Sequence, residues 1–351
     1  MTEYVVDISI SVSELVNELE GLRSSVDIIR ICHLESTGPD ANILHLARKD
    51  KHARDVLVAL AKLGFYAYTA KQGVTSFVFD GHISNLWHSI KNGSYSVDEN
   101  GLVYSLARPK IEVSSPKLLV IFSSIGPDIT NPGLIRYFTQ NYQSVQKFVP
   151  ATTAILRIAD IGGVQGGFYL NTSFRPNNAD HIASLIAKIC LEHGIEKTSV
   201  VLYGASKGAT GALYHGLMGK YRTVAVDPIL SDEYYETHFD DSHFTRGGIF
   251  PQSKQDVFAQ LIDRYLIEAE EFPESAHLSV ITSSRSPQYE YVEKLLGDPL
   301  LHHVALFNTL NPRIDDHPDV SPNSLDLAVT LMNTFFYDLG LSPGIREVSF
   351  D

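Results

Sequence analysis

Three observations predict an α/β fold built on a mostly parallel sheet. From residue 117 onward, short apolar runs alternate with stretches of helical period, the pattern of strands joined by crossover helices. The β-branched run Ser199–Tyr203 leads directly into Gly204-Ala205-Ser206-Lys207-Gly208, and Ala, Leu and Met then recur at helical spacing. A strand, a tight G-x-S-x-G turn and a helix form the context of a nucleophile elbow. Counting strands around this turn gives three up to and including it and three after it. The expectation is an α/β-hydrolase-like sheet with helices on both faces, preceded by a small N-terminal α/β unit.

Composition excludes several classes. The chain has 351 residues, 44% hydrophobic and 20% charged, in the range of globular proteins. A formal net charge of −13 argues against a nucleic-acid groove or an anionic membrane surface. No apolar run is long enough to span a bilayer, and Met1-Thr-Glu-Tyr-Val-Val-Asp lacks the regions of a signal peptide, so a cytoplasmic location is expected. Cys32 and Cys190 are far apart and read as buried thiols rather than a disulfide. No Cys/His cluster has metal-ligand spacing, and neither a metal nor a cofactor is expected.

Residues 1–112 read as the small unit. Tyr4–Ile10, Val26–Cys32, Phe65–Thr69 and Val74–Phe79 are predicted strands. Ser11 and Ser13 are placed to cap a helix with Leu15, Val16, Leu19 and Leu22 on one face. Asp50–Leu63 has helical spacing and ends at Gly64, 83–91 is a further helix, and Asn100-Gly101 marks a hairpin turn. Arg108–Lys117, with Pro109 and Pro116, is the predicted boundary to a second domain over 113–351. There the predicted strands are Lys117–Ser124, Ala154–Ile158, Ser199–Tyr203, Thr223–Asp227, His277–Ser283 and His302–Asn308. The predicted helices are Asn178–His193, the elbow helix, Lys254–Phe272, Gln288–Leu296 and Asn323–Leu339, the last followed by Gly340. The alternation stops at 231–253, whose aromatic and acidic residues suggest a cap beside the active site.

The glycines flanking Ser206 allow backbone segments to pass where a Cβ would clash, which presents the serine hydroxyl at the strand end. A serine needs a base, normally a histidine. The chain order of this fold is serine, acid, histidine. The loop after the last strand, Thr309–Ser321, holds one histidine, His317, which is the expected base; His302 and His303 are the fallback. The acid is expected after His277–Ser283, where the nearest carboxylate is Glu290. Asp227, at the tip of the strand after the elbow, is the alternative. Asp315 and Asp316 read as loop-capping. The oxyanion hole is expected from the backbone N–H of Lys207 and from Ser124 or Ile125, ahead of Gly126. Whether the Lys207 side chain meets solvent or an anionic substrate stays open. Tyr234, Tyr235 and Phe244 of the cap, and Gly163 of the glycine-rich run Asp160–Gly167, are expected to line the substrate pocket. That run is not G-x-G-x-x-G and no helix follows it, so a dinucleotide site is not expected.

The runs Arg157-Ile-Ala-Asp-Ile-Gly-Gly-Val, Gly167-Phe-Tyr-Leu-Asn-Thr, Leu202-Tyr-Gly-Ala-Ser-Lys-Gly-Ala-Thr-Gly-Ala-Leu-Tyr and Ala225-Val-Asp-Pro-Ile resemble the XcbB/CpsF capsular polysaccharide biosynthesis proteins. More distantly they resemble the accessory-secretion component that O-acetylates glycans on serine-rich adhesins. The resemblance covers roughly 115–335 and is strongest at 157–229. It implies a serine-dependent enzyme acting on a glycan or its precursor, with an acyl donor, in bacterial surface-polysaccharide synthesis. In the secretion relative a serine, glutamate, histidine triad fits, and Ser206, Glu290 and His317 fall in that order. The absence of an aspartate after the late strand departs from the commoner pattern of the fold. Two classes of function follow: an esterase or O-acyltransferase working through a serine acyl-enzyme, or a binding or assembly protein that kept the fold without turnover. Residues 1–112 are the expected surface for a homo-oligomer or assembly partner.

Overall fold

The computed structural model describes residues 2–22, 25–34, 41–269, 274–297 and 300–349. Two sheets organise them. The smaller has the order β1(Glu3–Asp7), β2(Ile28–Cys32), β4(Val74–Phe79), β3(Phe65–Lys71), with β1 and β2 parallel and the other pairs antiparallel. The helices Val12–Leu22 and Lys51–Lys62 cover one face, burying Leu15, Leu19, Val56, Leu57 and Leu60.

The larger sheet has nine strands. Before the elbow come the short hairpin β5(Ser96–Val97) and β6(Val103–Ala107), then β7(Lys117–Phe122), β8(Thr153–Ile158) and β9(Val200–Ala205). After it come β10(Arg222–Val226), β11(Leu278–Thr282), β12(Val304–Thr309) and β13(Gly344–Val348). The spatial order is β13-β12-β11-β10-β9-β7-β8-β6-β5, parallel from β13 to β8 and antiparallel through β6 and β5. This is a mixed α/β architecture of the α/β-hydrolase type.

The strands are apolar throughout because both faces are buried. Along β7, Leu119 and Ile121 face the helix Leu325–Phe336, which contributes Leu331, Met332, Phe335 and Phe336. Leu118, Val120 and Phe122 face the other way, onto Ile182, Leu185 and Ile186 of the helix Asn178–Glu192. Next to them Phe258, Leu261 and Ile262 of the helix Lys254–Glu268 pack on β11 and β12. Burying each of these side chains contributes about 1.5–3 kcal/mol. The C-terminal residues of the predicted helix over Lys254–Phe272, from 270 on, lie outside the described residues.

The expected division at residue 112 does not follow the sheets. β6 pairs with β8 from Tyr104↔Ile158 to Ala107↔Ile155, so the hairpin at 96–107 extends the large sheet. The small sheet is also joined to the larger unit by a shared core. Tyr66 and Val78 pack with Trp87, Leu134, Tyr137, Phe138 and Ile161, while Phe244 and Ile249 of the 231–253 segment enter the core beside Val58 and Leu60. β13 was not predicted; it adds a parallel edge beside β12 through Ala305↔Gly344 to Thr309↔Val348. Cys32 and Cys190 are half-buried rather than fully buried, and burial pushes the Cys190 thiol up to about 11. No helix among the described residues is long and apolar enough to cross a membrane.

Candidate active site

The turn between β9 and the helix Lys207–Gly219 holds Ser206 at φ 54° and ψ −123°. A non-glycine residue rarely adopts positive φ, and such a conformation costs about 1–3 kcal/mol unless its surroundings enforce it. The enforcement is close packing. A Cβ on Gly204 would lie 2.0 Å from the carbonyl oxygen of Gly208, and a Cβ on Gly208 would lie 2.2 Å from that of Phe122. Both glycines are therefore required for β9, β7 and the helix to approach one another, and the Ser206 N–H is tied to Val226 O at 2.9 Å.

Ser206 Oγ lies 2.7 Å from His317 Nε2, and His317 Nδ1 lies 2.7 Å from Asp227 Oδ2. A carboxylate only accepts, so the contact with Asp227 places the imidazole proton on Nδ1 and leaves the Nε2 lone pair facing the serine hydroxyl. Asp227 is 1% exposed and follows β10 with φ 50°. Its Oδ1 accepts from Thr282 Oγ1 at 2.6 Å and its Oδ2 from Ser286 Oγ at 2.5 Å. His317 opens a short helix, His317–Val320, behind a capping box of Asp316 and Asp319; the Asp316 side chain accepts from the His317 N–H at 2.7 Å.

Glu290, expected as the acid, is not at this position. It is exposed in the helix Tyr289–Val292, and no hydrogen bond joins it to His317 among the described residues, because Asp227 already takes the imidazole Nδ1. The loop expected to supply a carboxylate supplies the Ser286 hydroxyl instead, and that hydroxyl donates to Asp227. His302 and His303 precede β12, at the end of the sheet away from Ser206; His303 packs edge-on against Tyr265 at 5.6 Å.

Of the expected oxyanion donors, the N–H groups of Lys207 and Ile125 have no protein acceptor among the described residues. Lys207 is the first residue of its helix, where N–H groups lack intrahelical partners. The Ser124 N–H is not free: it donates to Asn141 Oδ1 at 2.8 Å, while Ser124 Oγ donates to Ala205 O at 2.8 Å and accepts from Asn141 Nδ2 at 3.0 Å. Ser124 and Asn141 thus brace the β7 loop against the end of β9.

The Lys207 side chain meets neither solvent nor substrate. It is fully buried, with Nζ 2.9 Å from Asp160 Oδ2 and 3.3 Å from Gln165 O. Asp160 also accepts the N–H groups of Gly167, Phe168 and Tyr169 at 3.1, 2.9 and 3.0 Å. The glycine-rich run is therefore wrapped around an ion pair beneath the elbow, and a Cβ on Gly166 would sit 2.3 Å from Asp160 Oδ2.

A cleft of about 700 Å³ opens over Ser206, His317 and Asp227, lined also by Ile125, Gly126, Asn141, Tyr235, Phe239, His243 and Arg48. Of the four expected pocket residues, Tyr235 lines it, with its ring 6.4 Å from that of His317. Tyr234 is half-buried and stacks on His238 at 4.6 Å. Phe244 turns away at φ 57° into the core of the N-terminal unit. Gly163 lies below the elbow, where its carbonyl accepts from Tyr137 Oη at 3.0 Å. Burial, and next the charge of Asp227, hold the Tyr235 phenol well above its ordinary value, so it stays a donor. Burial first, then the charge of Lys254, hold His243 well below the ordinary imidazole range, so it stays neutral. The segment carrying both is anchored by a buried Lys254–Asp232 ion pair, whose ammonium sits 3.8 Å from the Phe168 ring centroid. Among the described residues no three acidic, histidine or cysteine side chains group as a metal site.

No protein-family model and no curated protein sequence matches the chain. Solved structures similar to it include a substrate-bound fluorophosphonate-binding serine hydrolase of Staphylococcus aureus, at 13% identity and TM-score 0.46, covering 68% of this chain and 96% of that one. A capsule O-acetyltransferase of Neisseria meningitidis serogroup A is similar at 15% identity and TM-score 0.47, over 68% and 93% of the two chains. A glycosylation-associated protein complex of Streptococcus agalactiae is similar at 12% identity and TM-score 0.47, over 74% of this chain and 50% of that one.

Proposed function

We propose that the protein is a serine-dependent esterase or O-acyltransferase in which Ser206 is the nucleophile, His317 the general base and Asp227 the acid. The observation that carries this is the continuous chain Ser206 Oγ, His317 Nε2, His317 Nδ1, Asp227 Oδ2, with both contacts at 2.7 Å. A solvated loop histidine has no reason to bridge a strained serine and a buried carboxylate.

In this reading Ser206 Oγ attacks the acyl carbonyl carbon as its proton passes to His317 Nε2. The carbonyl oxygen becomes an oxyanion facing the Lys207 and Ile125 N–H groups. Collapse breaks the bond to the leaving oxygen, which takes the proton back from His317 Nε2 and leaves an acyl ester on Ser206. An acceptor hydroxyl then enters, gives its proton to His317 and receives the acyl group by the reverse steps. Asp227 keeps the imidazole in the tautomer that accepts and stabilises its cation. Water as acceptor makes an esterase; a sugar hydroxyl makes an O-acyltransferase. Ile125, Tyr235 and Phe239 give the cleft an apolar wall, and the resemblance to capsular polysaccharide proteins points to a glycan or its precursor as acceptor.

Intact mass after exposure to a fluorophosphonate, and separately to p-nitrophenyl acetate, tests this with wild type beside Ser206→Ala. A stoichiometric adduct in the wild type, lost in the folded variant, is expected. Folded wild type that takes up neither reagent would refute the reading in favour of a non-catalytic binding protein.

A further inference from the structure

The cleft carries a positive charge that the proposed chemistry does not use. Arg48, which follows the short helix Ile43–Leu46 of the N-terminal unit, is exposed and lines the cleft with Ser206, Ile125 and Tyr235. Among the described lining residues it is the only lysine or arginine, and its guanidinium has no acidic partner among the described residues. Neighbouring acids are engaged elsewhere. Asp240 pairs with Arg54 at 2.7 Å, Glu236 with Arg246 at 3.3 Å, and Asp50 caps the Ala53 N–H at 2.7 Å. Asp227, the cleft's own carboxylate, is taken up by His317, Thr282 and Ser286.

The segment bearing Arg48 is fixed to both walls of the cleft. Asn42 Nδ2 donates to Thr130 O at 3.0 Å, in the loop that also carries Ile125. Arg54 Nε donates to Ala47 O at 3.2 Å while its guanidinium pairs with Asp240 of the 231–253 segment. The backbone that carries Arg48 is thereby held at the mouth of the site, and its exposed guanidinium has no acidic partner among the described residues. A chain of net charge −13 repels anions at long range, so a lone guanidinium at the cleft acts as a local selector. Its planar donor fork matches carboxylate and phosphate oxygens in pairs.

Building on the serine acyl-transfer reading, we propose that Arg48 binds a carboxylate or phosphate group of the substrate, so that the N-terminal unit completes the active site and selects anionic over neutral esters. The test is the ratio of kcat/KM for p-nitrophenyl hemisuccinate to that for p-nitrophenyl acetate, in wild type, Arg48→Gln and Arg48→Lys. The ratio is expected to fall about tenfold in Arg48→Gln, the scale of a charge-assisted hydrogen bond softened by exposure, and to recover in part in Arg48→Lys. In parallel, succinate and inorganic phosphate are tested for protection of Ser206 from fluorophosphonate. The anion that protects wild type but not Arg48→Gln identifies the group that is read. An unchanged ratio together with no Arg48-dependent protection by either anion overturns the proposal. Acetate turnover that does not depend on Ser206 refutes the serine reading instead. Calorimetry with succinate and with phosphate then decides Arg48 alone: binding lost in Arg48→Gln supports it, and no binding to wild type overturns it.

Discussion

Replacing Asp227 by Asn separates the two candidate acids. The carboxylate accepts three side-chain hydrogen bonds, from Thr282 Oγ1, Ser286 Oγ and His317 Nδ1. An asparagine amide has one oxygen and one nitrogen. If the oxygen keeps Thr282, the NH2 group faces Ser286 and His317 and becomes the donor, so Nδ1 must accept and the imidazole proton moves to Nε2. His317 then presents an N–H to Ser206, and the lone pair that takes the serine proton is lost. If the amide is reversed, Thr282 Oγ1 faces an NH2 and keeps no acceptor there. Wrong-tautomer changes of this kind in serine triads lower kcat by about 10⁴, or about 5.5 kcal/mol of transition-state stabilisation. Glu290→Gln alters an exposed side chain that does not touch His317, and its effect is expected within about twofold. The assay is kcat/KM on p-nitrophenyl acetate for both variants beside wild type, with circular dichroism to verify folding. Asp227→Asn retaining more than about a tenth of wild-type activity while Glu290→Gln collapses would refute the assignment.

Asn141→Ala removes the brace on the Ser124–Ile125 loop and is expected to lower kcat about tenfold with little change in KM, because an oxyanion donor drifts while the serine pair stays intact; an unchanged kcat would show the loop is held without it. Lys207→Met leaves Asp160 buried without its cation and is expected to cost about 3–5 kcal/mol in urea denaturation, with Lys207→Met/Asp160→Asn recovering part of the loss; additive losses in the double variant would contradict the pairing. His215 and His277 are both held down to about 4 by burial. The unfolded chain, with ordinary imidazoles, binds more protons between about pH 4 and 6.5, so stability is expected to fall as pH drops through that window, by up to about 1.4 kcal/mol per pH unit for each group. His215→Phe should lower that slope whatever it does to stability at pH 7, as read from urea midpoints between pH 7 and 5.

The large sheet was legible because strands buried on both faces must be apolar at every position, and runs such as Leu118–Phe122 and Val200–Tyr203 have no other soluble use. Ser206 was legible because two glycines at fixed spacing are the only residues that fit between β9, β7 and the helix. The edge strand β13 and the membership of β5 and β6 were not, since short half-exposed strands carry no continuous apolar run. What failed at the acid was the choice of strand, not the chain order, which Asp227 also satisfies. β10 and β11 are neighbours, and the Asp227 N–H donates to Ile281 O at 2.7 Å, so a carboxylate at the tip of either strand lies beside the same imidazole. A shift of one strand in sequence is only a few ångströms in space. The residues did carry a signal: an aspartate closing the buried run Thr223–Val226 must find donors, and Thr282 and Ser286 stand across from it. Phe244 and Gly163 were misplaced because composition places a residue in a segment but not its direction, which the positive φ of Phe244 reverses. Arg48 and Asn141 were invisible for a different reason. Each reaches the cleft through contacts made in the folded chain, from Asn42 to Thr130, from Arg54 to Ala47 and Asp240, and from Asn141 to Ser124. A nucleophile is bound to local backbone geometry and can be read from five residues. The groups that orient it and choose its substrate need only arrive at the right place, and any segment that packs there will serve.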